Sequence, residues 1–278
     1  MSTVVAVFAH PDDEAFGVGG VLAAAAEATM RVVVVCATRG EAGEISDPSL
    51  ATPLTLAEVR EAELRAACRE LGVDDVRFLG YRDSGMAGSA DNVRADAFVN
   101  AEPTAVIAQL VRIFREVRAD VVLTFEPAGG YGHPDHVTIS ARATEAFDLT
   151  GDAGRFPEAG PAYRPAYLYY AALPRSFVLA WADHLRAAGL QSDLLADAER
   201  VGVPDERITA IVDVSHWAER KRRAVLSHAT QMNPQFLSLP DHLRRQAFER
   251  EAFILARGPR GEAASRFAGL AALRTVTT

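Results

Sequence analysis

Two short phrases hold most of the side chains able to do chemistry. "AHPDDE" covers residues 9–14 and "GHPDH" covers residues 132–136. Each sets His-Pro-Asp ahead of one more group able to bind a metal. Asp12, Asp13 and Glu14 also crowd three negative charges together. At an effective dielectric near 20, two unit charges about 4 Å apart repel by roughly 4 kcal/mol. A divalent cation offsets that repulsion. Histidine nitrogen and carboxylate oxygen suit Zn²⁺ better than Mg²⁺. His10 with Asp13, and His133 with His136, stand at i,i+3, which brings both side chains to one side of a first helical turn. Proline suits the first helical position, where its missing N–H would be unpaired anyway. The helix that follows adds partial positive charge at its start. Spacing does not decide which of Asp12 and Asp13 would bind the cation.

These phrases need strands ahead of them and helices behind. "TVVAVFA" (3–9) and "RVVVVCAT" (31–38) read as buried strands, and "DVRFLGY" (75–81) and "VVLTFEP" (121–127) as a third and a fourth strand. Helical patterns lie between and after them, at 19–30, 55–72, 104–120 and 136–147. The second of these carries a Thr55 cap with Glu58 three positions on, and Gly72 as its stop. Alternating strands and helices predict an α/β fold, a Rossmann-like three-layer sandwich around a mostly parallel sheet. Sites in such sheets lie outside the carboxyl ends of the strands. "HPDDE", "TRGEAGE" and "GGYGHPDH" all fall there, as do the long loops 39–54 and 80–103. After residue 150 the pattern is less regular. "RPAYLYYAALP" and "ERITAIVDV" read as strands, and "HWAERKRRAVLSHATQ" as a helix. We expect a single domain over 1–278, with 1–150 carrying the site and 151–278 completing the sheet and the substrate mouth.

Composition narrows the class. The chain has 278 residues, and its net charge of −8 argues against a nucleic-acid partner. No apolar run is long enough to span a bilayer. The N-terminus reads as a first strand and not as a signal peptide. Cys36 and Cys68 lie in apolar patterns, as expected of buried free thiols in a reducing cytoplasm. "GVGGVL" lacks the third glycine of a dinucleotide-binding turn, and the carboxylates ahead of it would repel a pyrophosphate. Its glycines more readily serve close approach of helix and sheet.

"AHPDDE" together with "YGHPDH" resembles the zinc-dependent N-acetylglucosaminyl deacetylases of the LmbE/PIG-L-like family. The resemblance runs from Thr3 to Phe147 through "TRGEAGEI", Arg60, Glu63 and "YRDSGMAG". Weaker echoes follow in "RPAYLYYAAL" and "KRRAVLSHATQ". The loops look like the actinobacterial mycothiol branch, which includes a deacetylase of N-acetylglucosaminyl-inositol and a mycothiol S-conjugate amidase. "DAGRFPEAG" leans toward the amidase. One departure is Ala15–Gly20, which lacks the polar, Ser-rich step of that branch and is closer to the wider family.

The resemblance implies a cytoplasmic hydrolase that removes an N-acyl group from a 2-acylamino sugar. It implies His10, Asp13 and His136 as ligands of one Zn²⁺, with Fe²⁺ as the other metal considered. Asp12 would be the general base. His133 would stabilise the oxyanion or protonate the departing amine, and Tyr131 would donate to the same oxyanion. Asp135 would orient His133 or His136. Softer expectations make Arg60, Asp83, Met86, His228 and Glu44 substrate contacts. The partner is then a small amino-sugar substrate, with no nucleic acid and no membrane. Assembly into a homo-oligomer is left open. Two other classes compete: a metal-dependent sugar transferase, in which the second His-Pro-Asp phrase has no purpose, and a metal- or sugar-binding protein without turnover.

Overall fold

The structure, a computed structural model, describes residues 2–190, 198, 200–232, 236, 239–259 and 275–276. Its strands are β1 (Thr3–Phe8), β2 (Arg31–Cys36), β3 (Asp75–Phe78), β4 (Val121–Phe125), β5 (Tyr167–Ala172), β6 (Ala210–Asp213), β7 (Arg250–Arg257) and β8 (Thr275–Val276). The main helices are α1 (Asp13–Glu27), α2 (Leu56–Leu71), α3 (Pro103–Val117), the short turn α4 (Gly129–Gly132), α5 (Pro134–Thr150), α6 (Arg175–Ala187), α7 (Ala218–Ser227) and α8 (Asp241–Glu249).

The strands form one sheet in the order β3-β2-β1-β4-β5-β7-β6-β8. β3, β2, β1, β4 and β5 run parallel. β7 enters antiparallel to β5, and β6 and β8 continue from it by antiparallel pairing. The expected α/β sandwich is therefore present, with an antiparallel edge. β1 shows why its sequence is apolar without a break. Val4, Ala6 and Phe8 face a core shared with α1, α2, α7 and α8. Val5, Val7 and Ala9 face the other core, against α3 and α5. A strand covered on both faces favours apolar side chains along its whole length, and the buried Thr3 at its start bonds its hydroxyl to the Val117 carbonyl.

The order reverses between β1 and β4, since β2 and β3 lie to one side and β5 to the other. That reversal opens a crevice at the carboxyl ends of these two strands. The two His-Pro-Asp phrases follow these same strands.

Several local expectations change. α1 begins at Asp13, ahead of the glycines, with Asp12 as its N-cap. Pro11 therefore precedes the cap, while Pro134 does occupy the first turn of α5. Thr55 caps α2 without a side-chain bond to the helix. Its hydroxyl accepts from the Thr52 N–H instead. Gly72 ends α2 in the left-handed region, φ 80°, as expected. In α1 the glycine that matters is Gly20. A Cβ there would come within 2.5 Å of Val214. The close approach is thus to the segment after β6. At the same place the Glu251 carboxylate of β7 accepts the N–H groups of Gly20 (2.7 Å) and Val21 (2.9 Å). It also pairs with the buried Lys221 of α7 at 2.9 Å. β7, α6 and α8 were not read from the sequence. Cys36 and Cys68 are buried free thiols.

Candidate functional site

The chain leaves β1 at Phe8 and must turn into α1 within four residues. Asp12 makes the turn, with φ 116° and ψ −31°. A residue with a Cβ pays about 1–3 kcal/mol for such a conformation. Backbone bonds hold it there. The Asp12 carbonyl accepts the N–H groups of Ala15 and Phe16. The Asp12 N–H donates to Glu14 Oε2 at 3.0 Å. The preceding carbonyl, of Pro11, accepts Arg60 Nη2 at 2.6 Å. The same guanidinium nitrogen stands 3.3 Å from Asp12 Oδ2.

Across the crevice, His133 caps α5 and His136 lies in its first turn. His10 Nδ1 and His136 Nε2 are 3.2 Å apart. Asp13 Oδ1 is 3.4 Å from His136 Nε2, and Asp13 Oδ2 is 3.8 Å from His10 Nδ1. Tetrahedral ligands about 2.1 Å from a Zn²⁺ ion stand about 3.4 Å from one another. These separations bracket that value. The far nitrogens are occupied in the way metal-bound imidazoles require. His136 Nδ1 faces the Gly129 carbonyl at 3.2 Å. His10 Nε2 faces Asp135 Oδ2 at 3.2 Å and Asp83 Oδ1 at 3.4 Å. Nitrogens that donate there leave their ring partners as lone pairs toward Asp13. The residues therefore fit a divalent cation.

Two groups of possible ligands stand out among the described residues: His10 with His133 and His136, and His10 with Asp83 and Asp135. The second group braces the back of the His10 ring. In the first, His133 Nδ1 accepts the Asp135 N–H at 3.1 Å. The His133 proton then belongs on Nε2, which makes the neutral ring a donor.

The electrostatics follow from burial. Burial alone would lower His10, but Asp135, Asp83 and Asp13 raise it to about 10. Burial lifts Asp12 to about 6, with Arg60 pulling it down and Asp13 pushing it up. Asp13 rises to about 6 through burial, against the pull of His10. Burial, with repulsion from His10 and His136, lowers His133 to about 3. Burial and the charges of Asp13 and Asp12 push the Tyr131 phenol up, so it stays a donor.

Tyr131 sits on α4, whose Gly130 has φ 72° and ψ −75°. The buried Glu126 organises this turn, accepting the N–H groups of Ala128 (2.7 Å) and Gly130 (2.6 Å). The Phe125 ring stacks on His136 at 4.0 Å. His10, His133 and His136 are buried, whereas Tyr131 is 38% exposed. The Asp12 side chain retains 21% exposure. Solvent thus reaches the site through Asp12 and Tyr131.

The expected metal and catalytic residues come together, while several expected substrate contacts do not face a mouth. Arg60 is buried and spends its guanidinium on Pro11, Asp12 and the Gly40 carbonyl. Asp83 is buried. Its carboxylate serves His10 and the N–H groups of Gly85 and Ala42. His228 is buried against Glu14 at 2.8 Å. Asp135 supports His10 with its carboxylate, not His133 or His136, and accepts the Ser84 N–H. Met86, 52% exposed, and the exposed Glu44 remain free to meet a substrate. Reasoning from sequence missed Glu126 and the bracing role of Glu14. A lone carboxylate just before a glycine-rich turn was the only signal for Glu126.

Residues 5–147 match the family described as PIG-L, GlcNAc-PI de-N-acetylase. The 1D-myo-inositol 2-acetamido-2-deoxy-alpha-D-glucopyranoside deacetylase of Geodermatophilus obscurus is 39% identical over 92% of each chain. Among solved structures, the N,N'-diacetylchitobiose deacetylase of Pyrococcus horikoshii superposes with a TM-score of 0.65 at 21% identity, over 91% of this chain and 83% of that one. The 4-carboxy-2-hydroxymuconate hydratase of Pseudomonas putida does so with a TM-score of 0.61 at 17% identity, over 94% and 99%. Those two likenesses bear on the fold, whereas the matched motifs and the 39% identity are decisive for kinship: the chain belongs to the PIG-L family.

Proposed function

We propose that this protein is a metal-dependent N-deacetylase acting on a 2-acetamido sugar, with 1D-myo-inositol 2-acetamido-2-deoxy-α-D-glucopyranoside as its first candidate substrate. The observation that carries the reading is the meeting of His10, Asp13 and His136 within 3.2–3.8 Å, with the partly exposed Asp12 beside them. The fold alone would not decide the reaction, because a hydratase shares it. The curated relative supports the substrate class.

His10, Asp13 and His136 would hold the cation; the two-nitrogen, one-oxygen donor set suits Zn²⁺ and Fe²⁺ alike, and zinc is favoured by its higher intrinsic affinity for such ligands. When bound, it would polarise the amide carbonyl and make water easier to deprotonate. Asp12 takes the proton of the attacking water. Arg60 keeps the Asp12 carboxylate aimed and ionised. Tyr131 and the neutral His133 donate hydrogen bonds to the oxygen that gains charge in the tetrahedral intermediate, where one preorganised donor is worth about 2.7–4 kcal/mol. The departing amine leaves with the proton that Asp12 collected. The buried thiols support a reducing compartment, and we place the protein in the cytoplasm.

The test combines turnover with metal analysis. N-acetylglucosamine, N-acetylglucosaminyl-inositol and a mycothiol S-conjugate are offered to the zinc-reconstituted protein, and released amine is measured. Activity is expected on the inositol glycoside. Asp12→Ala should keep its zinc and lose most turnover, and His133→Ala should also keep zinc. His136→Ala should lose it. Equal zinc loss in all three would overturn the division of roles.

A further inference from the structure

Two buried groups behind the site have no part in that chemistry. Glu14 in α1 and His228, which ends α7, are both fully buried. His228 Nε2 lies 2.8 Å from Glu14 Oε1, and Glu14 Oε2 accepts the Asp12 N–H at 3.0 Å. Arg60 Nη2 holds the other end of the same peptide unit, the Pro11 carbonyl, at 2.6 Å. The peptide plane between Pro11 and Asp12 is therefore gripped at both edges. The tilt of that plane sets φ at Asp12, which is 116°.

A glutamate side chain has three rotatable bonds, and a partner on its second carboxylate oxygen fixes the rotamer that reaches back to an N–H two residues earlier. His228 is that partner. Its Nδ1 is buried with no partner among the described residues. Among the described residues the ring's polar contact is thus the one Nε2 makes with Glu14. We propose that Glu14, pinned by His228, is a positioning pair that holds Asp12 in its left-handed backbone conformation and so aims the Asp12 carboxylate. The consequence for catalysis rests on reading Asp12 as the base. It also makes the second half of the chain, outside the matched stretch 5–147, a contributor to the reacting centre.

His228→Phe keeps a ring and removes the bond to Glu14. Glu14→Ala removes the acceptor for Asp12. Glu14→Gln keeps an acceptor for Asp12 and a donor for His228. On the zinc-loaded enzyme, the first two variants are expected to lower kcat about 10²-fold, the scale of a small misplacement of a reacting group. KM and zinc content should not move. Glu14→Gln should retain most of kcat, and crystal structures of the first two should show Asp12 relaxed to negative φ. Should Glu14→Ala not fold, His228→Phe and Glu14→Gln decide. Asp12 keeping its positive φ in the variants would overturn the proposal, as would a loss of kcat that only tracks loss of zinc or of folded protein. A relaxed Asp12 with full turnover would bear out the positioning and overturn Asp12 as the base.

Discussion

Asp12 meets opposing demands. As the proposed base it must be ionised to accept a proton, yet burial raises its carboxyl to about 6, and Asp13 adds to that rise. Arg60 supplies the compensating charge, with Nη2 3.3 Å from Asp12 Oδ2. Arg60→Met should therefore raise the Asp12 pKa. Because the base works deprotonated, the acid limb of kcat/KM should move to higher pH, and activity at a fixed pH below neutrality should fall. A pH–rate profile of the variant checks this, and a limb that stays in place would count against the pairing. Arg60 also marks what could be read from residues alone. The His-Pro-Asp phrases were legible because metal chemistry needs particular atoms at short spacing. Arg60, Asp83 and His228 read in sequence as substrate contacts, and the structure buries all three. Pattern does not say whether a polar side chain faces solvent or a neighbour's carbonyl, since the partners at Gly40, Ala42 and Glu14 come from other elements.

Among elements, α1 shows how a helix with three glycines survives in a core. Helical glycine costs roughly 0.5–1 kcal/mol each relative to alanine. Gly20 offsets this by admitting Val214 and by exposing backbone N–H groups to Glu251. Glu251 in turn neutralises the buried Lys221. Glu251→Ala would leave that cation unpaired and two helix N–H groups without their acceptor. The expected loss is about 3–5 kcal/mol of stability, the usual cost of breaking a buried ion pair from one side. Denaturant unfolding measures it, and a change under about 1 kcal/mol would show that the helix does not depend on this contact. None of this was visible in the string, where "GVGG" and "REAFILAR" lie far apart. A different element was half visible. "DAGRFPEAG" stands out in the sequence only by its resemblance to the amidase, whereas in the structure the segment is organised by the buried Arg115, whose guanidinium donates to the carbonyls of Thr150, Asp152, Arg155, Phe156 and Gly160. An arginine on an amphipathic helix gives no such notice.

For the whole molecule, the legible part was the parallel half, because βαβ units repeat a pattern that two buried faces impose on the inner strands β1, β2 and β4, and that the half-buried edge strand β3 relaxes. The antiparallel edge was read only in part. "RPAYLYYAALP" and "ERITAIVDV" were recognised as strands, but their neighbour β7 arrives from the far end of the chain, and a run of eight residues says nothing of its partners. The same topology brings the proposed metal ligands from two distant strand ends, after β1 and after β4, so they meet only in the folded chain. A cation bound there should stabilise the folded state, by about 2.7 kcal/mol at a hundredfold excess over Kd. For a chain of this size that corresponds to a rise in Tm of roughly 5 °C. The gain should depend on pH with a definite sign. Without the cation, His10 holds a proton up to about pH 10, above its ordinary value of 6.5. That proton stabilises the folded state fully below the ordinary pKa, and its contribution is lost as pH rises through about 10. A metal must displace it, so at limiting zinc the Tm gain should grow between pH 6 and pH 8. Calorimetry with and without added zinc tests both points, using His136→Ala as the variant expected to show little gain. A gain of equal size in that variant, or one that shrinks as pH rises, would mean that the cation binds somewhere other than between these two strand ends.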